Sequence, residues 1–402
     1  MNSKLLTDRR TKLFKQLKTK ESIVVFAASL PHYPRNFLQD KNFKYLTGLD
    51  IPDAVLVIYK NKQPVIELFI ERGIPEMEVW VGKKMTKKEA AEASGIDKIS
   101  YLDEFERKIG NYMASSTKVH TNTGYNSIDK TFNKPQDFIN KIKQYFPHIF
   151  AMDMTKIMIP LRSVKTKWEI EQMQKAIDVT GEGIKNIMKR SKVGMMEYEL
   201  EAILQYEVTR NGFNHMGFKS IVAAGKNAAT LHYEQNNCKI GKDEMVLLDV
   251  GAACNGYSAD ISRTFPVSGK FTKRQKEVYS EVLNINKKII KMVKPGVGMK
   301  ELNKKTVELI QKALIKLKLI KDKKDYFTYY MHSVGHHLGM DTHDIGARDS
   351  ILKIGNVITV EPGIYIAEEG IGVRIEDDIL VTKTGYKVLS ENIPKEVDDL
   401  ES

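Results

Sequence analysis

Cysteine is nearly absent: Cys238 and Cys254 are the only two in 402 residues. So few thiols cannot form a disulfide framework, which excludes a stapled secreted scaffold and points to a reducing compartment, the cytoplasm. Long apolar runs are missing too. The first, Ile23 to Leu30, falls far short of the ~20 residues that span a bilayer and lacks a signal-peptide cleavage pattern, so it reads as a buried strand with no membrane partner expected. Low-complexity segments are also absent. Net charge is +12, yet the lysines fall in scattered runs such as Lys287-Lys288 and Lys304-Lys305 without interleaved aromatics; this describes solvated helix faces and not a nucleic-acid surface. With 42% hydrophobic residues, what remains is two or three globular domains with substantial cores.

What is present is acid where strands should be apolar. Asp249 closes the run Met245 to Leu248, and Glu361 closes Val357 to Val360. Asp260 follows Asp249 across the turn Ala253-Cys254-Asn255-Gly256, and Glu376 follows Glu361 across Ala367-Glu368-Glu369-Gly370. Folding each segment back on its turn sets its two acids opposite one another, within the ~5 Å of directly facing side chains. Like charges that close repel, and burial makes this worse. One or two divalent cations held by oxygen ligands resolve the conflict.

The segment Val193-Gly194-Met195-Met196-Glu197 returns as Val297-Gly298-Met299-Lys300-Glu301, each copy between two long helical patterns and each followed by one acidic hairpin. A period of about 100–115 residues is too long for a solenoid and suits two halves of one domain. Related by a pseudo-twofold, the halves would turn both hairpins inward so that four carboxylates converge. Helices are expected over 166–190, 197–211, 273–293 and 299–317. Ahead of them, residues 1–158 read as an α/β domain with strands at 22–28, 54–59, 64–69, 98–100 and 118–121, and residues 159–402 as the second domain. The acidic tail Glu396 to Glu401 reads as a solvated terminus.

Residues 331–344 hold four of the nine histidines, His332, His336, His337 and His343, flanked by glycines that permit close backbone approach; His232 precedes the first hairpin. Four carboxylates and one imidazole make a hard, oxygen-dominated site that suits Mn²⁺ or Co²⁺ better than a thiolate zinc site does. In these contexts a family comes into view. Leu248 to Gly251, Asp260 to Phe265, His332 to His336, Val360 to Gly363 and Arg374 to Asp378 resemble the pita-bread dinuclear metallopeptidases, the aminopeptidase P (Xaa-Pro aminopeptidase) branch first and prolidase next. Lys44 to Gly48 and Ala54 to Val57 are similar to the N-terminal domain of the same branch.

The resemblance implies an α/β (α+β) fold class, with an N-terminal creatinase/aminopeptidase-P-like α/β domain followed by a C-terminal pita-bread domain with pseudo-twofold symmetry. It implies two divalent metal ions, Mn²⁺ first with Co²⁺ or Zn²⁺ as alternatives, held by Asp249, Asp260, His336, Glu361 and Glu376. Asp260 and Glu376 would bridge the ions, Asp249 would complete one, and His336 with Glu361 the other. Such a pair lowers the pKa of a shared water to supply hydroxide near neutral pH. Glu361 would carry the proton, while His232, His332 and His343 position substrate and stabilise the tetrahedral intermediate. Arg374 would brace the site; Tyr365 would either donate a hydrogen bond or pack as an aromatic. Peptides with proline at the second position are the implied substrates, with prolidase as the alternative activity and a non-catalytic binding module as the remote one. Relatives of this kind form dimers or tetramers in which N-terminal domains edge neighbouring active sites, so a homo-oligomer is expected. Trp80 matches a family segment and is equally a candidate for the core.

Overall fold

Residues 3–29, 37–61, 64–124, 133–347 and 349–401 are described by a computed structural model; Leu30, at the end of the first apolar run, lies outside them. Two units emerge, Met1–Leu161 and Arg162–Ser402. Among the described residues no helix is long and apolar enough to cross a membrane.

The first unit carries a six-stranded sheet in the order β4-β3-β2-β1-β5-β6. Its strands are β1 (Glu21–Phe26), β2 (Val55–Lys60), β3 (Pro64–Ile70), β4 (Lys98–Tyr101), β5 (Lys118–Thr121) and β6 (Phe150–Asp153). β1 runs antiparallel to β2 and parallel to β5. All six of its residues are buried, and its apolar stretch from Ile23 to Phe26 is what a strand covered on both faces requires. The helices are α1 (Ser3–Gln16), α2 (Lys41–Thr47), α3 (Glu78–Val81), α4 (Lys87–Ser94), α5 (Phe105–Ser115), α6 (Lys134–Tyr145) and α7 (Thr155–Arg162). Met113 of α5 and Phe138 and Ile142 of α6 pack on Val24, Phe26 and Val57 of the sheet. Trp80, by contrast, is 81% exposed on the four-residue α3, which buries no side chain, so its reading as a core residue falls.

One carboxylate of β3 is fully buried. Glu67 accepts hydrogen bonds from Ser100 Oγ at 2.5 Å, Tyr112 OH at 2.6 Å and Lys108 Nζ at 3.1 Å, and Lys98 Nζ lies at 2.9 Å. Burial alone would push its pKa up; these donors outweigh burial and hold it down at about 2, against an ordinary value of 4.5. A carboxylate depressed in the folded state contributes stability above its unfolded pKa, and that contribution is lost as pH falls through the folded one. Glu67→Gln is therefore expected to lower the unfolding temperature at neutral pH. The gap to the parent should close as pH drops from 4.5 toward 2, which thermal unfolding of both chains across that range would check.

The second unit repeats one layout. α8 (Lys167–Arg190) and α9 (Glu197–Arg210) lead to β7 (His215–Met216), β8 (Ile221–Ala224), β9 (Met245–Val250), β10 (Ala252–Cys254), β11 (Tyr257–Ser258) and β12 (Ile261–Pro266). α10 (Lys273–Ile290) and α11 (Met299–Lys316) lead to β13 (Val357–Val360), β14 (Gly363–Ile366), β15 (Ile371–Arg374), β16 (Asp377–Val381) and β17 (Tyr386–Val388), and α12 (Val397–Leu400) ends the unit. Thr166 with Glu169, and Thr272 with Gln275, form capping boxes that start α8 and α10 where the pattern expects them. The acidic tail is not simply solvated: Leu400 is buried, and Glu396 and Glu401 pair with Lys287 and Lys276.

The duplication holds at the backbone, in a corrected alignment. Gly194 N–H donates to the Ile240 carbonyl and Ile240 N–H to that of Met195; Gly296 and Leu352 with Val297 make the same pair of bonds in the second half. Gly194 and Gly296 share a left-handed φ, +92° and +90°, so Gly194 corresponds to Gly296 and not Gly298. Nine residues on from Ile240 and from Leu352 stand Asp249 and Glu361, each at the end of its strand.

The returning strands differ. Asn255 and Gly256 both have positive φ, +51° and +84°, the signature of a two-residue type I′ turn. That turn is centred one residue beyond the midpoint of the two acids, so Asp249 faces Ser262 and Asp260 lies on its diagonal. The expected facing pair is thus corrected for the first hairpin. In the second, Val360 faces Asp377 and Gly363 faces Arg374, and the same register sets Glu361 opposite Glu376 between the two ladders.

Candidate metal centre

Strand ends deliver the acids. Asp249 lies near the end of β9, Asp260 just ahead of β12, Glu361 just past β13 and Glu376 just ahead of β16. The two hairpins join where Glu376 N–H donates to the Ser262 carbonyl at 3.1 Å. Residues 334–338 run alongside β13: Leu338 N–H donates to Val357, Thr359 N–H to His336 and Glu361 N–H to Val334, at 2.8–3.0 Å. Gly335 permits this approach, because a Cβ there would overlap the Thr359 carbonyl. The pairing sets His336 beside Glu361.

Nε2 of His336 lies 3.3 Å from Asp260 Oδ2 and 3.4 Å from Glu361 Oε1. Its Nδ1 donates to the His337 carbonyl at 3.1 Å, which turns Nε2 toward the acids. One ligand atom each from Asp260, His336 and Glu376 lies within 4.8 Å of the others.

Burial favours protonation of this cluster. Asp260 is pushed up to about 7, first by burial and then by Asp249 and Glu361, with His336 opposing. Glu376 rises well above the carboxylate range through burial, Asp260, Glu361 and Asp249, and Glu361 also rises, chiefly through burial. For His336 burial acts downward, but Asp260 and Glu361 outweigh it and raise the imidazole to about 9. Acids that hold protons this firmly are acids whose mutual repulsion a cation would relieve. One oxygen of Asp249 is buried with no hydrogen-bond partner. An orphaned carboxylate oxygen, three more acids and an imidazole nitrogen turned toward them fit oxygen-seeking divalent ions, which would displace the protons.

Arg374 ties the centre together. Its Nε donates to Ser262 Oγ at 2.8 Å, one terminal nitrogen to Tyr365 OH at 3.1 Å and the other to Asp249 Oδ2 at 2.6 Å. Ser262 Oγ donates in turn to Glu376 Oε2 at 2.6 Å. Tyr365 OH meets His332 Nε2 at 2.8 Å, and His332 Nδ1 meets the Ser333 carbonyl at 2.8 Å. Burial, with Arg374 adding to it, lowers His332 to about 4, so the ring is neutral and accepts from Tyr365. Tyr365 is buried and bonded at once, which joins the two alternatives the sequence left open.

The nine residues expected to ligate metal or act on the substrate, Asp249, Asp260, His336, Glu361, Glu376, His232, His332, His343 and Arg374, line one cavity of about 1180 Å³. The His343 ring stacks edge-on to His336 at 4.2 Å, while His337 bonds Ser350 Oγ. Sequence reasoning missed Arg162 and Lys165, buried cations that bond Asp344 at 2.6 and 3.1 Å and so hold the loop carrying His343. The available signal was two cations at i and i+3 directly ahead of a helix.

A family profile described as Metallopeptidase family M24 matches residues 171–383. The chain belongs to metallopeptidase family M24. A second profile, Aminopeptidase P, N-terminal domain, matches residues 6–120. The chain is 32% identical to the Xaa-Pro aminopeptidase of Haemophilus influenzae, over 98% of this chain and 96% of that one. It is 32% identical to the mitochondrial intermediate cleaving peptidase 55 of Arabidopsis thaliana, over 98% and 81%. Aminopeptidase P from E. coli, solved with the inhibitor Pro-Leu, superposes with a TM-score of 0.91 at 29% identity, covering 100% of this chain and 98% of that one. The M24 centre thus sits in the fold class expected: an N-terminal α/β domain followed by a pita-bread domain built from two related halves.

Proposed function

We propose that this M24 protein is a metal-dependent aminopeptidase that removes the first residue from peptides with proline at the second position. The observation that carries this reading is the convergence of two buried acids, Asp260 and Glu376, and two half-buried ones, Asp249 and Glu361, with His336 Nε2 in one cavity. We assign residues 1–158 to the N-terminal domain and 159–402 to the catalytic one. Asp249, Asp260, His336, Glu361 and Glu376 would hold two divalent ions; Mn²⁺ is the first choice, ahead of Co²⁺ or Zn²⁺. When bound, such ions supply Lewis acidity and an activated water near neutral pH.

Glu361 is assigned to carry the proton toward the leaving proline nitrogen, since a carboxylate beside the site of the attacking water, with His336 Nε2 at 3.4 Å, is in reach of both water and leaving nitrogen. His343 and His232 line the cavity and are assigned to contact the peptide. His332, engaged at both nitrogens, holds Tyr365 and through it Arg374. A cavity of about 1180 Å³ has room beyond a dipeptide and supports an aminopeptidase over a prolidase. The exposed Val79, Trp80 and Val81 support a homo-oligomer, dimer or tetramer, and two cysteines outside any disulfide support a cytoplasmic setting. Neither nucleic acid nor membrane is proposed as a partner.

The test is to strip metal with a chelator, add back Mn²⁺, Co²⁺ or Zn²⁺, and compare Xaa-Pro-Yaa tripeptides with Xaa-Pro dipeptides. Tripeptide hydrolysis that vanishes on chelation and returns with metal is expected. Activity confined to dipeptides would move the assignment to prolidase, and no hydrolysis with any ion would end the enzymatic reading.

A further inference from the structure

Nothing among the described residues hydrogen-bonds the His232 ring, which is exposed on the cavity wall. Its presentation therefore depends on the backbone between β8 and β9, a stretch whose only regular element is the short 3₁₀ turn Gly225–Ala229. One carboxylate staples that stretch. Glu197, the first residue of α9, is 0% exposed. Its Oε1 accepts from Ala224 N–H at 2.8 Å and Asn227 Nδ2 at 3.0 Å. Its Oε2 accepts from Tyr233 OH at 2.7 Å and Cys238 N–H at 2.9 Å. Both ends of the loop, and the residue directly after His232, hang on this one side chain.

Four donors fill the two oxygens of one side chain, and the N-terminal end of α9 favours negative charge there. Tyr233 also packs with Ile221, Leu247 and Tyr365, so the staple registers the His232 loop against the strand that carries Asp249. We propose that Glu197 is a positioning residue for the peptidase reaction, acting through His232. The inference rests on the reading that His232 contacts the peptide.

Glu197→Gln keeps the shape but turns an amide NH₂ toward two of the donors. In the metal-loaded enzyme, kcat is expected to fall about 10- to 100-fold, with KM within about twofold and bound metal unchanged. In a His232→Ala background the same change should cost less than about threefold, because its effect runs through the residue already removed. A full additional loss in the double variant, or a loss carried by KM or by metal content, overturns the proposal. If Glu197→Gln does not fold, Tyr233→Phe removes a single donor. A loss of about threefold in kcat that disappears with His232→Ala supports the staple, and one that persists refutes it. An unaltered rate in His232→Ala alone refutes the assignment of His232 itself, whereas additivity on top of an impaired His232→Ala refutes only the staple.

Discussion

Glu376→Ala is expected to abolish peptidase activity while leaving the chain folded. The carboxylate lies within 4.8 Å of ligand atoms from Asp260 and His336, so its loss opens the centre, and the drop in kcat/KM should reach roughly a thousandfold, beyond the 10- to 100-fold typical of supporting groups. Folding should survive because burial, Asp260, Glu361 and Asp249 all disfavour an ionised Glu376, so the metal-free fold does not depend on its charge. Against this stands one broken hydrogen bond from Ser262, worth about 1 kcal/mol. Thermal unfolding with and without Mn²⁺ separates the effects. The parent should gain stability from the ion through mass action and the variant should gain far less. A variant that keeps the parent's metal-induced rise would show that Glu376 is no ligand.

Arg374→Met should be the most destabilising single change at the centre. Arg374 is 4% exposed and its guanidinium makes three bonds, to Ser262, Tyr365 and Asp249. Removing one partner of a buried ion pair leaves the other charge uncompensated, a cost of about 3–5 kcal/mol. In a unit of this size that lowers the unfolding temperature by on the order of 10 °C. The loss should be larger without metal, when Arg374 is the cation bonded to Asp249, and smaller with Mn²⁺ present. Arg374→Lys should not rescue it, because a single ammonium cannot reproduce the three-pronged planar contact. Unfolding curves of the three chains with and without Mn²⁺ check this; equal destabilisation in both conditions would count against a cation next to Asp249.

Legibility from sequence differed by element. α8 and α10 were readable because Thr166 with Glu169 and Thr272 with Gln275 are local capping signals. α7 was not, since Pro160 inside it argues for a break, and α5 went unread between two short strands. The acids of the second hairpin face each other as their spacing suggested. Those of the first do not, because two positive φ values at Asn255 and Gly256 fix a tight turn off-centre. Trp80 was ambiguous because apolar character does not state which side of a short helix is covered.

Read alone, the sequence determined the periodic elements, the half-domain duplication and the identity of the acidic and imidazole groups, since these are properties of residues near one another along the chain. Only the tertiary structure decided what those groups touch. The bonds of Arg374 to Asp249 and of Ser262 to Glu376 join residues more than a hundred positions apart, and the Glu197 staple gathers four donors from one loop onto a helix end. Hydrogen bonding and burial act over a few ångströms of space, and that proximity is set by how strands and helices pack.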